Sequence, residues 1–453
     1  MIVMKFGGTS VGTAERIRAL AERVRERLDR RPLVVVSALS GTTDLLIGGA
    51  RAAVARDPAA GAVIDQIFAR HRGVIEELFG GGARREDSLA RLRGVVEELR
   101  TLYTGVHYLE ELTPRSLDAI AAMGERLSSE IVAGCLAERG LPARVVDARG
   151  LVVTDENFGR AAPLIKETAA RAGDTLRPLL DADIVPVIPG FIGATRQGVT
   201  TTLGRGGSDW SASILGAALG AEEIQIWTDV DGMMTVDPRV VPGARVLAEA
   251  SFDEAAELAY FGARVLHPAT IKPAVESDIP VRVLNSLNPE AAGTRITGRA
   301  EGRSGEPRAI AFKKGITVVL ISQPRMLMAH GFVARVFEVF DHHSTPVDLI
   351  ATSEVSLSLT VDQDGAIPAI RAELASLGEV RVLPRMAIVS VVGSGLIHAP
   401  GITGRIFQAL RDVSVVMISF GASDVNLSFV VGEDAAETAV RLLHREFFEA
   451  ATA

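Results

Sequence analysis

Only five of the 48 basic residues are lysines, and one of them, Lys5, opens the run Lys5-Phe6-Gly7-Gly8-Thr9-Ser10. The apolar stretch Ile2–Lys5 before the glycines reads as a strand, and Ala14–Leu28 after them reads as a helix with apolar residues at helical spacing. Two glycines at such a junction let backbone N–H groups come close to a phosphate, and the helix N-terminus adds the positive end of its dipole. A lysine there supplies a mobile cation for a phosphoryl group in transfer. The pattern is not a P-loop, because no G-x-x-x-x-G-K-[ST] run occurs in the chain.

A second cluster, Thr200-Thr201-Thr202-Leu203-Gly204-Arg205-Gly206-Gly207-Ser208-Asp209, leads into a helix of small residues. Ser208 or Asp209 suits the helix cap. Arg205 has the fork that grips a carboxylate through two hydrogen bonds. Asp209 could instead order a lysine and the hydroxyls around a phosphate. A third cluster, Trp227-Thr228-Asp229-Val230-Asp231-Gly232 with Thr235 and Asp237-Pro238-Arg239, begins where the strand candidate Glu223–Thr228 ends. Open α/β sheets bind ligands at such strand ends, so these polar groups suit the base and ribose of a nucleotide. An EF-hand is excluded, since Val240 stands where the twelfth-position glutamate is needed.

Other segments are less specific. Ser37–Asp44 is a hydroxyl-rich loop after the apolar run Leu33–Ser37. Glu125, in Met123-Gly124-Glu125-Arg126, reads by itself as a solvated charge on a helix. Gly393-Ser394-Gly395-Leu396-Ile397-His398 mimics a dinucleotide fingerprint but lacks its third glycine. His342 and His343 are adjacent rather than at helical ligand spacing and have no cysteine near them, so no protein-held metal site is expected.

The elements that must position these residues alternate strand and helix over the first 300 residues, which implies an α/β sandwich around a mostly parallel sheet. Residues 45–105 read as helical with an interruption at Gly80–Gly82, and Ser116–Arg139 reads as one helix. The stretch 285–307 is dense in turn formers and marks a domain boundary. Beyond it Gly331, Arg335, Phe337, Ser353, Leu357 and Ser358 recur 70 residues later as Gly401, Arg405, Phe407, Ser423, Leu427 and Ser428. Each copy reads strand, helix, strand, strand, helix. The second copy ends without a closing strand, which the extra strand candidate Ala309–Lys313 could supply. The 453 residues suggest about three domains. A net charge of −8 argues against general nucleic-acid binding. The apolar residues are scattered, so no membrane span is expected. Cys135 alone excludes a disulfide framework and suits a reducing cytoplasm.

Taken together, Lys5–Ser10, Gly204–Asp209, Thr228–Asp229 with Asp237–Arg239, Phe261–Pro268 and the paired repeat resemble the aspartate kinase family over nearly the whole chain. Within that family the chain looks most like the monofunctional lysine-sensitive type, with no fused homoserine dehydrogenase expected after Ala453. The resemblance implies an amino-acid-kinase three-layer αβα sandwich over residues 1–300. Two ferredoxin-like βαββαβ ACT modules would follow, one over 314–385 and one over 386–453 completed by strand 308–313. It implies transfer of phosphate from ATP, with its Mg²⁺, to the side-chain carboxylate of L-aspartate, the first step toward lysine, threonine and methionine.

Lys5 and Asp209 would be catalytic, and Thr43, Glu125, Arg205 and Ser208 would hold aspartate. Lys5, Gly7, Gly8, Thr228, Asp229, Met234, Asp237, Arg239, Arg264 and Val265 would hold ATP. An effector, lysine by preference, would bind Met326, Asp348, Thr352, Ser353 and Glu354, and the ACT modules would pair chains into a dimer or a dimer of dimers. Three residues depart from the family pattern: Arg264 replaces a frequent lysine, and Ala329 and Pro346 replace serines of the effector pocket. Two other readings stay open: an ACT-based amino-acid sensor with an inactive kinase domain, and a kinase for another amino-acid carboxylate.

Overall fold

The computed structural model describes residues 1–261, 268–298, 304–323, 330–362 and 365–449. The expected ligand residues Arg264, Val265 and Met326, and the departure at Ala329, lie outside the described residues. The chain forms two compact units, and the division does not follow a single cut in the sequence. The first holds Met1–Met233, Ala248–Phe252 and 268–298; the second holds Met234–Leu247, 253–261 and 304–449.

In the first unit the strands are β1 (Ile2–Phe6), β2 (Pro32–Val36), β3 (Ala143–Val145), β4 (Val185–Pro189), β5 (Ile192–Ala194), β6 (Thr200–Thr202), β7 (Glu223–Thr228), β8 (Glu249–Ser251), β9 (Val281–Asn285) and β10 (Thr294–Thr297). The helices are α1 (Ala14–Arg25), α2 (Thr42–Val54), α3 (Ala59–Leu78), α4 (Ala83–Leu109), α5 (Pro114–Ala121), α6 (Met123–Glu138), α7 (Ile165–Asp181) and α8 (Gly207–Leu219), with α10 (Pro268–Glu276) after α9 (Phe252–Tyr260), which crosses into the second unit. Eight strands form one sheet in the order β3-β4-β2-β1-β7-β9-β10-β8. The run from β3 to β9 is parallel and β10 lies antiparallel to β9.

The sequence explains this layering. Every residue of β1 and β2 is buried, as in strands covered on both faces. Successive side chains alternate between faces. Ile2, Met4 and Phe6 join the core made with α1 to α6. Val3 faces α8, where a Cβ on Gly216 would lie 3.7 Å from it and 2.7 Å from Ile224 Cδ1, so the missing side chain lets α8 lie directly on the sheet. Lys5 shares the parity of Val3 and therefore also faces α8. Helix α1 starts where Thr13 Oγ1 accepts the Arg16 N–H at 3.3 Å, and it buries Ile17, Leu20, Ala21 and Val24 at helical spacing.

Two local expectations are corrected. The expected helix over Ser116–Arg139 is α5 and α6, separated at Ala122. The three threonines at 200–202 are not a hydroxyl loop around a phosphate. They form strand β6, paired with β5, and β-branched residues suit that backbone. Their hydroxyls are spent inside the fold: Thr202 Oγ1 donates to Asp118 Oδ1 at 2.7 Å, and Thr201 Oγ1 lies 2.8 Å from Thr154 Oγ1.

The second unit carries β11 (Ala309–Ser322), α11 (Phe332–His342), β12 (Ile350–Thr352), β13 (Ser356–Asp362), α12 (Ile367–Leu374), β14 (Glu379–Val392), α13 (Ile402–Ala409), β15 (Val415–Phe420), β16 (Asn426–Gly432) and α14 (Glu433–His444). Its sheet runs β12-β13-β11-β14-β16-β15. Both central strands serve both copies of the repeat. The half 316–322 of β11 pairs with β13, and its residues 318–322 pair with 379–383 of β14, while 309–314 pairs with 387–392. The two halves of β11 meet at a bulge where Gly315 has a φ of +76°, a conformation that favours glycine.

The segments 234–247 and 253–261 belong here because their side chains do. Val236, Val240 and Val241 are part of the core formed with α13 and α14. The Ile310 N–H donates to Thr235 O at 2.7 Å. On α9, Glu254 Oε1 accepts both the Ser394 N–H and its hydroxyl at 2.8 Å. The Gly393–His398 run thus docks a buried glutamate.

Candidate active site

Lys5 sits at the C-terminal end of β1, 7% exposed, with its Nζ 2.6 Å from Asp209 Oδ1 in the first turn of α8. The α8 cap is Gly206, without a side-chain cap bond, so Asp209 spends its charge on the lysine rather than on the helix end, and neither Ser208 nor Asp209 is the cap. Gly204 and Gly206, with φ of 78° and 71°, turn the chain sharply on either side of Arg205. Arg205 is exposed, and no carboxylate among the described residues pairs with it. A Cβ on Gly8 would meet Ala38 O at 2.9 Å, so only glycine lets the β1–α1 loop lie against the β2–α2 loop. The two loops are also joined by the Ser40 N–H donating to Gly8 O at 3.2 Å.

Glu125 is not a solvated charge. It is 5% exposed on α6, and its neighbour Gly124 presses so close to the β2–α2 loop that a Cβ there would lie 2.7 Å from Ala38 Cβ and 3.6 Å from Thr42 Cγ2. Burial pushes the Glu125 carboxyl up to about 8, partly opposed by the Ala38 N–H and by the charge of Lys5. Its Oε2 has no hydrogen-bond partner, and neither does the buried Thr42 Oγ1. Buried polar atoms are almost always paired, so these two stand out. Ser128 Oγ donates to Ser37 O at 2.6 Å, and Ser37 Oγ lies 2.8 Å from Ser208 Oγ, linking α6, the end of β2 and the start of α8. Thr43, in the first turn of α2, is half-buried.

Lys5, Glu125, Ser208 and Asp209 are therefore brought together. Thr228 and Asp229 lie at the end of β7, with Thr228 Oγ1 3.3 Å from Asp229 Oδ1. Met234, Asp237 and Arg239 stand in the second unit, where Asp237 accepts the Arg239 N–H at 2.9 Å and its guanidinium at 2.6 Å. Three residues were not singled out as site residues by the sequence. Ser286 Oγ donates to Thr228 O at 2.9 Å and lies 2.8 Å from Ser10 Oγ, tying the ends of β7 and β9 to the glycine loop. Asn285 Nδ2 donates to Asp231 Oδ1 at 2.7 Å. Asp118 accepts the N–H groups of Gly159 and Thr202, both at 2.9 Å, and so braces the hairpin that precedes Arg205. Asn285 and Ser286 open the stretch 285–307 that the sequence marks as a domain boundary, and no sequence signal set them apart as site residues.

Comparison with known proteins now adds to this geometry. The amino acid kinase family matches residues 1–285, and an ACT domain matches 389–447. The lysine-sensitive aspartokinase 3 of Escherichia coli (strain K12) is 38% identical over 467 residues, covering 99% of both chains. The chain belongs to the aspartokinase family. Two crystal structures of E. coli aspartokinase III are 37% identical to it. The complex with lysine and aspartate, a T-state, superposes with a TM-score of 0.84 over 99% of each chain. The complex with aspartate and ADP, an R-state, gives 0.83 over 99% of this chain and 100% of the other. The function of this aspartokinase is phosphorylation of aspartate under the control of ACT modules, and the sensor and other-substrate readings fall away.

Proposed function

We propose that the Lys5–Glu125–Asp209 cluster is where the aspartate carboxylate receives its phosphoryl group. The observation that carries this reading is the buried Glu125 Oε2, which has no hydrogen-bond partner and lies within the field of Lys5, itself paired with Asp209. A side-chain carboxylate is already ionised near neutral pH, so no general base is needed. The barrier is repulsion between two anions, met by positioning and charge neutralisation. Lys5 meets the developing charge on the transferred phosphoryl group, and Asp209 holds its ammonium in place. Glu125 takes the substrate ammonium, Arg205 its α-carboxylate, and Thr43 and Ser208 complete the aspartate site. Gly7 and Gly8 leave room for phosphate against the backbone, and Thr228 and Asp229 line the nucleotide. Met234, Asp237, Arg239, Arg264 and Val265 belong to the same proposal on resemblance alone. Mg²⁺ would arrive with ATP, keep most of its ligands from phosphate and water, and neutralise phosphate charge.

For the effector we propose lysine, which is bound in the E. coli T-state structure. Asp348, the most buried of the described residues expected to hold the effector, accepts from the Tyr260 hydroxyl of α9 and lies 3.4 Å from Lys313 Nζ. Thr352, Ser353 and Glu354 are exposed beside it in sequence. An effector ammonium at Asp348 would compete with Lys313 and disturb the end of α9, giving the differential contact that allostery requires. Pairing of chains through the ACT modules and residence in a reducing cytoplasm, which suits the free, buried thiol of Cys135, complete the reading.

The test is steady-state kinetics. Lys5→Ala should lower kcat by at least about 100-fold with little change in the aspartate KM. Arg205→Lys should raise the aspartate KM by about tenfold, because the two-pronged carboxylate grip is lost. An Arg205→Lys enzyme with a normal aspartate KM and a raised ATP KM would reassign the arginine to the nucleotide. Inhibition by threonine and not lysine, or lysine inhibition untouched in Glu354→Ala and Asp348→Asn, would overturn the effector assignment.

A further inference from the structure

The second unit brings together a group of side chains that the kinase reaction does not use. His342 closes α11, His343 caps it, and Glu373 projects from α12 of the same module. His343 Nε2 lies 3.0 Å and His342 Nδ1 3.4 Å from the same oxygen, Glu373 Oε2, and the ligating atoms of all three residues fall within 4.8 Å of one another. We propose that His342, His343 and Glu373 form a binding site for a divalent transition-metal cation such as Zn²⁺.

Three observations carry this. The ligand set is two imidazoles and one carboxylate, which suits Zn²⁺ and its neighbours and not Mg²⁺ or Ca²⁺. An ion about 2.0–2.1 Å from each donor in a tetrahedron sets those donors about 3.3 Å apart, and the two measured nitrogen–oxygen separations bracket that value. The third separation closes by rotation of His342, the most exposed of the three at 71%. Finally, the histidines sit at the C-terminal end of α11, where the helix carries its negative partial charge and favours a cation.

Thr345 Oγ1 donates to His343 O at 3.2 Å, and Ser376 Oγ donates to Glu373 O at 2.8 Å, so both turns that present the ligands are braced. Three protein ligands leave a fourth position for water. Bound there, the ion fastens α11 to α12 across residues 342–373. That segment also contains Asp348, so occupancy would stiffen the module on which effector binding is proposed. Adjacent histidines alone do not signal such a site; the third ligand arrives only through the packing of α12 beside α11.

The experiment uses the tag-free full-length chain, stripped with a chelator and titrated at pH 7.5. Zn²⁺ binding is followed by calorimetry, and Co²⁺ by the visible absorption of a nitrogen-ligated tetrahedral ion. One equivalent of either ion per chain is expected, with a rise in thermal midpoint on Zn²⁺ addition and none on equimolar Mg²⁺. His343→Ala and Glu373→Gln should each weaken binding by at least about tenfold, while basal kinase activity stays unchanged. His343→Gln serves as a second variant should the alanine protein fold poorly. Binding of Zn²⁺ with equal affinity in wild type, His343→Gln and Glu373→Gln, or no binding to wild type, would overturn the proposal.

Discussion

Replacing Glu125 by glutamine should stabilise the protein while abolishing tight aspartate binding, and the stabilisation should depend on pH in a defined way. In the folded chain the carboxyl is raised to about 8 from the ordinary 4.5, first by burial. The folded state therefore keeps a proton that the unfolded chain has released, and the contribution of that proton to stability is complete below about pH 4.5 and lost as pH rises to 8. At about 1.4 kcal/mol per pH unit, the cost at pH 7 is about 3 kcal/mol. Glutamine has no proton to lose. Its advantage should be near zero at pH 5, clear at pH 7 and greatest above pH 8, with a rise in thermal midpoint of about 5 °C at pH 8. Aspartate binding should move the other way, with the KM rising by at least about tenfold, because an amide cannot answer an ammonium ion. In the wild type the substrate ammonium must draw a proton from Glu125, so the aspartate KM should fall by about tenfold per pH unit between 6 and 7 and level off above 8. Thermal scans of both proteins at pH 5, 6.5 and 8, with kinetics over the same range, test this. An equal shift at every pH, or a flat aspartate KM, would refute the placement of a protonated Glu125 in the aspartate site.

Asp209→Asn breaks the 2.6 Å pair with Lys5 in a largely buried setting, and should cost about 3 kcal/mol as well as most of kcat, measured by denaturant melts and turnover. Gly8→Ala forces a Cβ to within 2.9 Å of Ala38 O, so the loop must shift; a loss of about 1–3 kcal/mol and a raised ATP KM are expected, and a normal KM would show that the loop does not bind phosphate. His71 is buried, its Nε2 has no partner, and burial pulls it down to about 4 from 6.5. Its contribution to stability is complete above about pH 6.5 and lost toward pH 4, a fall of about 3 kcal/mol. His71→Leu should flatten that acid limb in pH-dependent melts.

Much of this protein is written in local pattern. The apolar run in β1, followed by two glycines and a helical repeat, declares a strand, a phosphate-sized turn and a helix, because backbone geometry and the hydrophobic period act over a few residues. The parity that puts Lys5 on the α8 face is likewise set within β1. The 70-residue repeat announces paired modules without any coordinates. What the sequence could not settle is which distant segments meet. Glu125 reads as a surface charge until α6 closes on Ala38 through Gly124. Asp118 is one of many helical acids until the hairpin 84 residues away supplies its donors. Residues 234–247 look continuous with the kinase domain, yet Val236, Val240 and Val241 bury themselves with α13 and α14. His343 finds Glu373 only when two helices of one module pack side by side. Burial and proton affinity are properties of the packed neighbourhood, so the sequence determined which chemical groups are present and in which elements, and tertiary packing decided which are dry, charged and in contact.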